Sequence, residues 1–358
     1  MPSEHVARRE RLAGILRERG LAAAVVTDLV NVRYLTGFTG SNGAVRVCED
    51  GSAVFVTDGR YGNQAAEEAP DVEIVVNRDL IGALASDTGG ALRVGVETHV
   101  LTVDDYDRAR KAFEGIDLVP LGSAVEQLRV VKDDEELDAL RRACDISVQA
   151  LDELLAGPLL GRTEREIARD LEWTMYAKGA EAIAFETIVA SGPNSAIPHH
   201  DPTDRPVGRD ELLKIDFGAR VDGYHADCTR TVVVGKADAW QREVHEVVRA
   251  AQQAGVDACR EGVLDTDVDA LVRQVLADAG WLEAFTTGLG HGVGLRIHED
   301  PFLSSPAPAR LERRTALTME PGIYVAGRGG VRIEDTLVVT DGAPELLTVA
   351  TKDLLELA

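Results

Sequence analysis

Apolar and polar positions along this chain switch repeatedly between a helical and a strand period. Over residues 3–19 the apolar positions fall on one face, which predicts an amphipathic helix stopped by Gly20. "LAAAVVT" then predicts a buried strand, and "GAVRVCEDGSAVFVTDGRY" a hairpin turning at Glu49, Asp50 and Gly51. "VEIVVN" and "LRVGVE" predict two further strands. In the stretch beginning "VVKDDEELDALRRACD", residues Leu137, Leu140, Cys144, Val148, Leu151 and Leu155 recur at spacings of three and four. That predicts one long helix whose acidic first turn suits the helix dipole. The pattern divides the chain into a small α/β domain, residues 1–125, and a second domain, residues 126–358.

The second domain contains an echo of itself. A helix from a capping box at Thr163 and Glu166 to Gly179 leads through "AFET" to His199 and His200, then to a hairpin over residues 212–234. A second capped helix ending near Gly280 leads through "AFTT" to His291, then to a hairpin over residues 315–340. Two related helix-and-hairpin halves with a site between them are expected.

Both hairpins carry acids where buried strands prefer apolar residues. In "LKIDFGARVDGYHADCTRTVVV", Asp216 and Asp227 are expected nearly opposite one another across a turn at "VDG". Thr229, two residues beyond Asp227 on the same face, is expected to orient the Asp227 carboxylate. Glu320 and Glu334 stand symmetrically about a Gly-rich turn in the second hairpin. Carboxylates that close and partly buried repel each other unless protons or cations neutralise them. Asp216, Asp227, His291, Glu320 and Glu334 are too many ligands for one zinc and suit a pair of divalent ions. The oxygen-rich, thiol-free set favours Mn²⁺, with Co²⁺ or Zn²⁺ as alternatives.

Composition narrows the partners. The 358 residues carry a formal charge of −23, from 61 acidic against 38 basic residues, with no basic run. Nucleic acid is therefore not expected as a partner. No apolar stretch is long enough for a membrane span or a secretory signal. Cys48, Cys144, Cys228 and Cys259 are far apart, as expected of reduced thiols in a cytoplasmic protein.

The blocks "ASGPNSAIPHH", "GLGHGVGLRIHEDP", "MEPGIYV" and "GGVRIEDTLVVT", with the first hairpin, closely resemble the Xaa-Pro peptidases of the pita-bread metallopeptidase family. "NVRYLTGFTGSNG" and "FVTDGRY" resemble the N-terminal, creatinase-like domain of the aminopeptidase P type. The resemblance implies an α+β chain in which a small α/β domain precedes a pita-bread catalytic domain of two pseudo-symmetric halves. It implies that Asp216 binds one metal, that Asp227 and Glu334 bridge two, and that His291 and Glu320 complete the set. It places His199 and His298 as non-ligand active-site histidines, and Arg332 and Tyr324 near the metals or substrate. His200, where the family often has glycine, is not expected to be catalytic.

The implied reaction is hydrolysis of the bond between an N-terminal residue and a following proline, with Glu320 as proton shuttle. "GFTGSNG" and "DGRY" favour an aminopeptidase acting on longer peptides, and the alternative is a dipeptidase (prolidase). A creatinase-type hydrolase or a non-catalytic peptide-binding protein is disfavoured because the ligands are intact. Methionine aminopeptidase usually lacks the N-terminal domain. The resemblance also implies a homodimer.

Overall fold

A computed structural model describes residues 4–85, 92–303, 306 and 308–358. The chain parts into two compact units, Met1–Arg129 and Val130–Ala358.

The first unit is built on a six-stranded mixed sheet. Its spatial order is Glu73–Val76, Ala53–Thr57, Gly43–Cys48, Ala23–Val26, Arg93–Val96, Asp117–Pro120. Gly43–Cys48 and Ala53–Thr57 form the expected antiparallel hairpin, with Gly51 at φ +85° in its turn. The first helix runs Glu4–Arg19 and is closed by Gly20 at φ +63°; the expected start at Ser3 lies outside the described residues. Val25, Val56, Val94, Val96 and Phe113 pack in the core of this unit.

The second unit repeats one scheme twice. Helices Asp134–Leu155 and Glu164–Ala177 pack on the first hairpin, and Ala239–Ala258 and Asp265–Asp278 on the second. Leu151, Ile167, Leu171 and Met175 meet Leu213, Ile215 and Phe217 in one core. Val244, Val248, Val268 and Val272 meet Leu317, Met319, Ile333 and Leu337 in the other. The capping box at Thr163 and Glu166 forms as expected. The second copy differs: its helix starts after Leu264 with no side-chain cap. The long helix also turns a slightly different face inward, burying Ala143, Ser147 and Ala150, while Val148 and Leu155 are half-buried.

Strand alternation explains the acids. Odd-numbered Leu213, Ile215 and Phe217 face helices, so Lys214 and Asp216 must face the other way. On the second hairpin, odd-numbered Leu317, Met319, Ile333 and Leu337 face helices, leaving Thr318, Glu320, Arg332 and Glu334 on the opposite face. The two acidic faces meet, stitched by a bridge between Thr229 and Glu334.

Register corrects one expectation. Asp222 and Gly223 both take positive φ, +49° and +82°, and form a two-residue turn that pairs Val221 with Tyr224. Asp216 is therefore opposite Thr229, and Asp227 lies two residues off, diagonal to it on the same face. At Gly218 a Cβ would sit 1.8 Å from the Ala226 carbonyl oxygen, so only glycine lets the ribbon close here. Gly218→Ala is expected to cost about 3 kcal/mol or more in urea unfolding, since backbone must move. A loss under about 1 kcal/mol would show that the ribbon yields freely. In the second hairpin Ala316–Met319 pairs with Asp335–Val338 and Gly322–Val325 with Gly329–Arg332 in one continuous register. That register sets Glu320 and Glu334 opposite each other, as their symmetry about the turn requires.

Candidate active site

The facing hairpins line a cavity of about 710 Å³. Asp216, Asp227, His291, Glu320, Glu334, Arg332, His199 and His298 all reach its wall. Tyr324 does not line it, but its hydroxyl lies 3.1 Å from Arg332 Nη1. The residues singled out in the sequence are thus brought together, with Tyr324 one contact behind the rest.

Ligand atoms of Asp227, His291 and Glu334 lie within 4.8 Å of one another. His291 Nδ1 is 3.0 Å from the Gly292 carbonyl oxygen, to which it donates, leaving Nε2 directed at the acids. Nε2 is 3.3 Å from Glu320 and 3.6 Å from Asp227. The Thr318 hydroxyl donates to Glu320 Oε1 at 3.2 Å. Thr229 donates to Glu334 at 2.6 Å, not to Asp227 as expected, because the shifted register sets it against the second hairpin. Arg332 pairs with one oxygen of Asp216 and donates from Nε to the Thr229 hydroxyl at 3.0 Å.

The electrostatics show strain of a particular kind. Burial, then the charges of Glu334, Asp216 and Glu320, push the Asp227 carboxyl well above the usual carboxylate range. Burial, then Glu320 and Asp216, does the same to Glu334. Burial would raise Glu320 too, but the hydrogen bond and charge of His291, with the Arg332 charge and the Thr318 hydrogen bond, together outweigh it and hold Glu320 low. Burial pushes the His291 imidazole down, and Glu320 more than reverses this. Asp216 Oδ1 is buried with no hydrogen-bond partner among the described residues. Four carboxylates and one imidazole nitrogen, with an orphaned oxygen and mutual repulsion, fit hard divalent cations.

His199 and His298 are exposed to the cavity. The His298 ring stands edge-on to His291 at 4.3 Å, and burial, then His291, lowers its pKa. His200 also lines the cavity, but its Nε2 is committed to Glu164, to which it donates at 2.8 Å.

Three residues were not singled out from the sequence. Glu164 has no exposed side-chain surface and receives bonds from the Ser191 N–H and hydroxyl, Asn194, His200, and the Thr203 N–H and hydroxyl. Arg230 binds Asp335 and the carbonyl oxygens of Thr229, Glu334, Ala350 and Thr351. Lys214 is fully buried, and burial, then Arg332, lowers its pKa to about 6. The available signal was charge inside apolar strand runs, "LLKIDF" and "CTRTVVV".

Two pseudo-symmetric halves closing on a carboxylate-lined cavity define the pita-bread class of hydrolase domain. The chain belongs to metallopeptidase family M24, whose model matches residues 138–341, and the creatinase/prolidase N-terminal domain matches residues 8–131. It is accordingly a metallo-exopeptidase. An Xaa-Pro dipeptidase of Pyrococcus furiosus is 33% identical, over 97% of this chain and 99% of that one. The solved structure of an Xaa-Pro dipeptidase from Bacillus anthracis superposes with a TM-score of 0.95 at 35% identity, covering 99% of this chain and 100% of that one. An X-Pro aminopeptidase from Thermotoga maritima gives 0.90 at 34%, covering 98% and 99%. Among the described residues no helix is long and apolar enough to cross a membrane.

Proposed function

We propose that this chain is a metal-dependent Xaa-Pro peptidase, and within that class a dipeptidase that releases proline from Xaa-Pro. The convergence of Asp216, Asp227, His291, Glu320 and Glu334 on one cavity carries the metal-dependent part. The relatives named Xaa-Pro dipeptidase support the dipeptide substrate, against the aminopeptidase expected from the N-terminal blocks.

Asp216, Asp227, His291, Glu320 and Glu334 would hold two divalent ions, Mn²⁺ first among them. When bound, such ions acidify water and polarise a carbonyl. Glu320, aimed by Thr318 and His291, takes a proton from the attacking water and carries it to the departing nitrogen. That nitrogen belongs to a tertiary amide and must be protonated to leave as the secondary amine of proline. His199 and His298, exposed on the cavity wall, donate hydrogen bonds to the substrate carbonyl as negative charge develops on its oxygen. Arg332 fixes Asp216 and Tyr324 and so holds the floor of the site.

One observation favours the aminopeptidase reading. Among the described residues lining the cavity, Arg332 is the only lysine or arginine, and it is committed to Asp216, Tyr324 and Thr229. Glu186 and Asp201 stand on the same wall. Such a wall offers little to the free carboxylate of a dipeptide.

The test is turnover of Xaa-Pro against Xaa-Pro-Xaa by the Mn²⁺-supplemented full chain. Hydrolysis of dipeptides only is the expected result, and chelation should abolish it. Faster cleavage of tripeptides assigns the aminopeptidase activity instead. Hydrolysis that survives exhaustive chelation would remove the metal-dependent reading altogether.

A further inference from the structure

His199 reaches the cavity from an irregular segment, not from a strand or helix, so something must fix its place. The short helix Gly192–Ala196 ends just before Ile197, Pro198 and His199. On the far side of His199, Glu164 grips the segment through the His200 side chain and the N–H and hydroxyl of Thr203. On the near side the grip comes from the strand Glu211–Phe217. Lys214 sits there on the face it shares with Asp216, where an apolar residue would ordinarily stand.

The Lys214 amino group bonds to the backbone, not to an acid. Nζ donates to the Ile197 carbonyl oxygen at 2.6 Å and to that of Pro198 at 3.1 Å. Its remaining side faces the Tyr324 ring, with Nζ 5.1 Å from the centroid. Arg332 Nη1 reaches the same Pro198 oxygen at 3.4 Å. A fully buried amino group bonded to two carbonyls is a costly way to fill a strand position, and an apolar side chain would be cheaper. What the amino group gains is a fixed backbone for the two residues immediately preceding His199.

We propose that Lys214 is a positioning residue that sets the place of His199 over the reacting bond. This rests on the reading of His199 as a donor to the substrate. It makes Lys214 a determinant of turnover without contact to substrate, and separates its effect from folding.

The test is a double-mutant cycle on the Mn²⁺-loaded full chain with an Xaa-Pro substrate, joined to spectroscopy of the metal-free protein. Lys214→Met keeps the stem and removes the amino group. Its melting temperature is expected to equal or exceed that of the parent, while kcat falls on the order of tenfold with little change in KM. His199→Ala alone should cost about a hundredfold. Lys214→Met added to His199→Ala should then cost less than about twofold, since nothing is left to position. In ¹⁵N-histidine-labelled protein, the imidazole signals assigned to His199 by their loss in His199→Ala should move in Lys214→Met, while those of remote His245 stay.

Equal losses in both backgrounds, or unmoved His199 signals, overturn the proposal. A silent His199→Ala would instead remove the catalytic reading of His199, and the displaced or unmoved signals would still decide what Lys214 does. If Lys214→Met fails to fold, Lys214→Leu takes its place. Failure of both overturns the proposal, because Lys214 would then be a requirement of folding.

Discussion

Asp227→Asn should lower kcat/KM by about a thousandfold or more and, in the absence of metal, leave a protein that melts higher than its parent. Asp227 is among the acids most penalised by its surroundings: it is buried and faces the charges of Glu334, Asp216 and Glu320. Removing its charge relieves that repulsion, on the order of 1–2 kcal/mol or a few degrees in melting temperature for a unit of this size. The same change takes a carboxylate from the cluster of Asp227, His291 and Glu334 proposed to hold metal. The parent should gain about 2.7 kcal/mol in Mn²⁺ at a hundred times its dissociation constant, and the variant far less. Calorimetric scans with chelator and with Mn²⁺ measure both effects. An equal metal-induced shift in parent and variant would mean that Asp227 is not a ligand.

Lowering the pH should weaken the brace behind His199 only below the ordinary glutamate range, and release it only near the Glu164 pKa. Burial would raise the Glu164 carboxyl, but hydrogen bonds from His200, Thr203, Ser191 and Asn194 overcome it and hold the pKa at about 2. A folded-state pKa below the unfolded one contributes stability above the ordinary glutamate pKa, about 4.3, and loses it as pH falls through the folded value. The window therefore runs from about 4.3 down to about 2, and the contribution is on the order of 3 kcal/mol. Glu164→Ala should remove it at neutral pH and cost about 3–5 kcal/mol, since six donors lose their acceptor. Denaturant unfolding at a series of pH values checks this. Parent and variant stabilities that ran parallel from pH 6 to pH 2 would assign Glu164 no such role.

The hairpins, the capping box at Thr163 and the acids were legible because each is a local departure from a period. An aspartate between Ile215 and Phe217 announces itself against an apolar strand. Register was less legible because it depends on which two residues make the turn. Reading the centre at "VDG" sets Asp216 within one residue of Asp227, whereas the Asp222–Gly223 pair sets it against Thr229. The Asp-Gly dipeptide is the stronger turn signal and would have given the right pairing. The partner of Thr229 was not legible at all, since Glu334 lies 105 residues away and only the docking of the two halves brings it near. His199 and His298 carry no local signal either, and resemblance alone singled them out. Glu164 looks like an ordinary acid in a first helical turn until the segment from Ser191 to Thr203 folds onto it.

The bridge between Thr229 and Glu334 has a consequence for the order of events during synthesis. A ribosome that has released only the first hairpin has made two of the acids and neither their histidine nor their counterparts. Nothing in that fragment can gather ions tightly or cut a neighbouring nascent chain. Competence arrives in one late event, when distant segments close on each other, and the cell is spared a half-built protease.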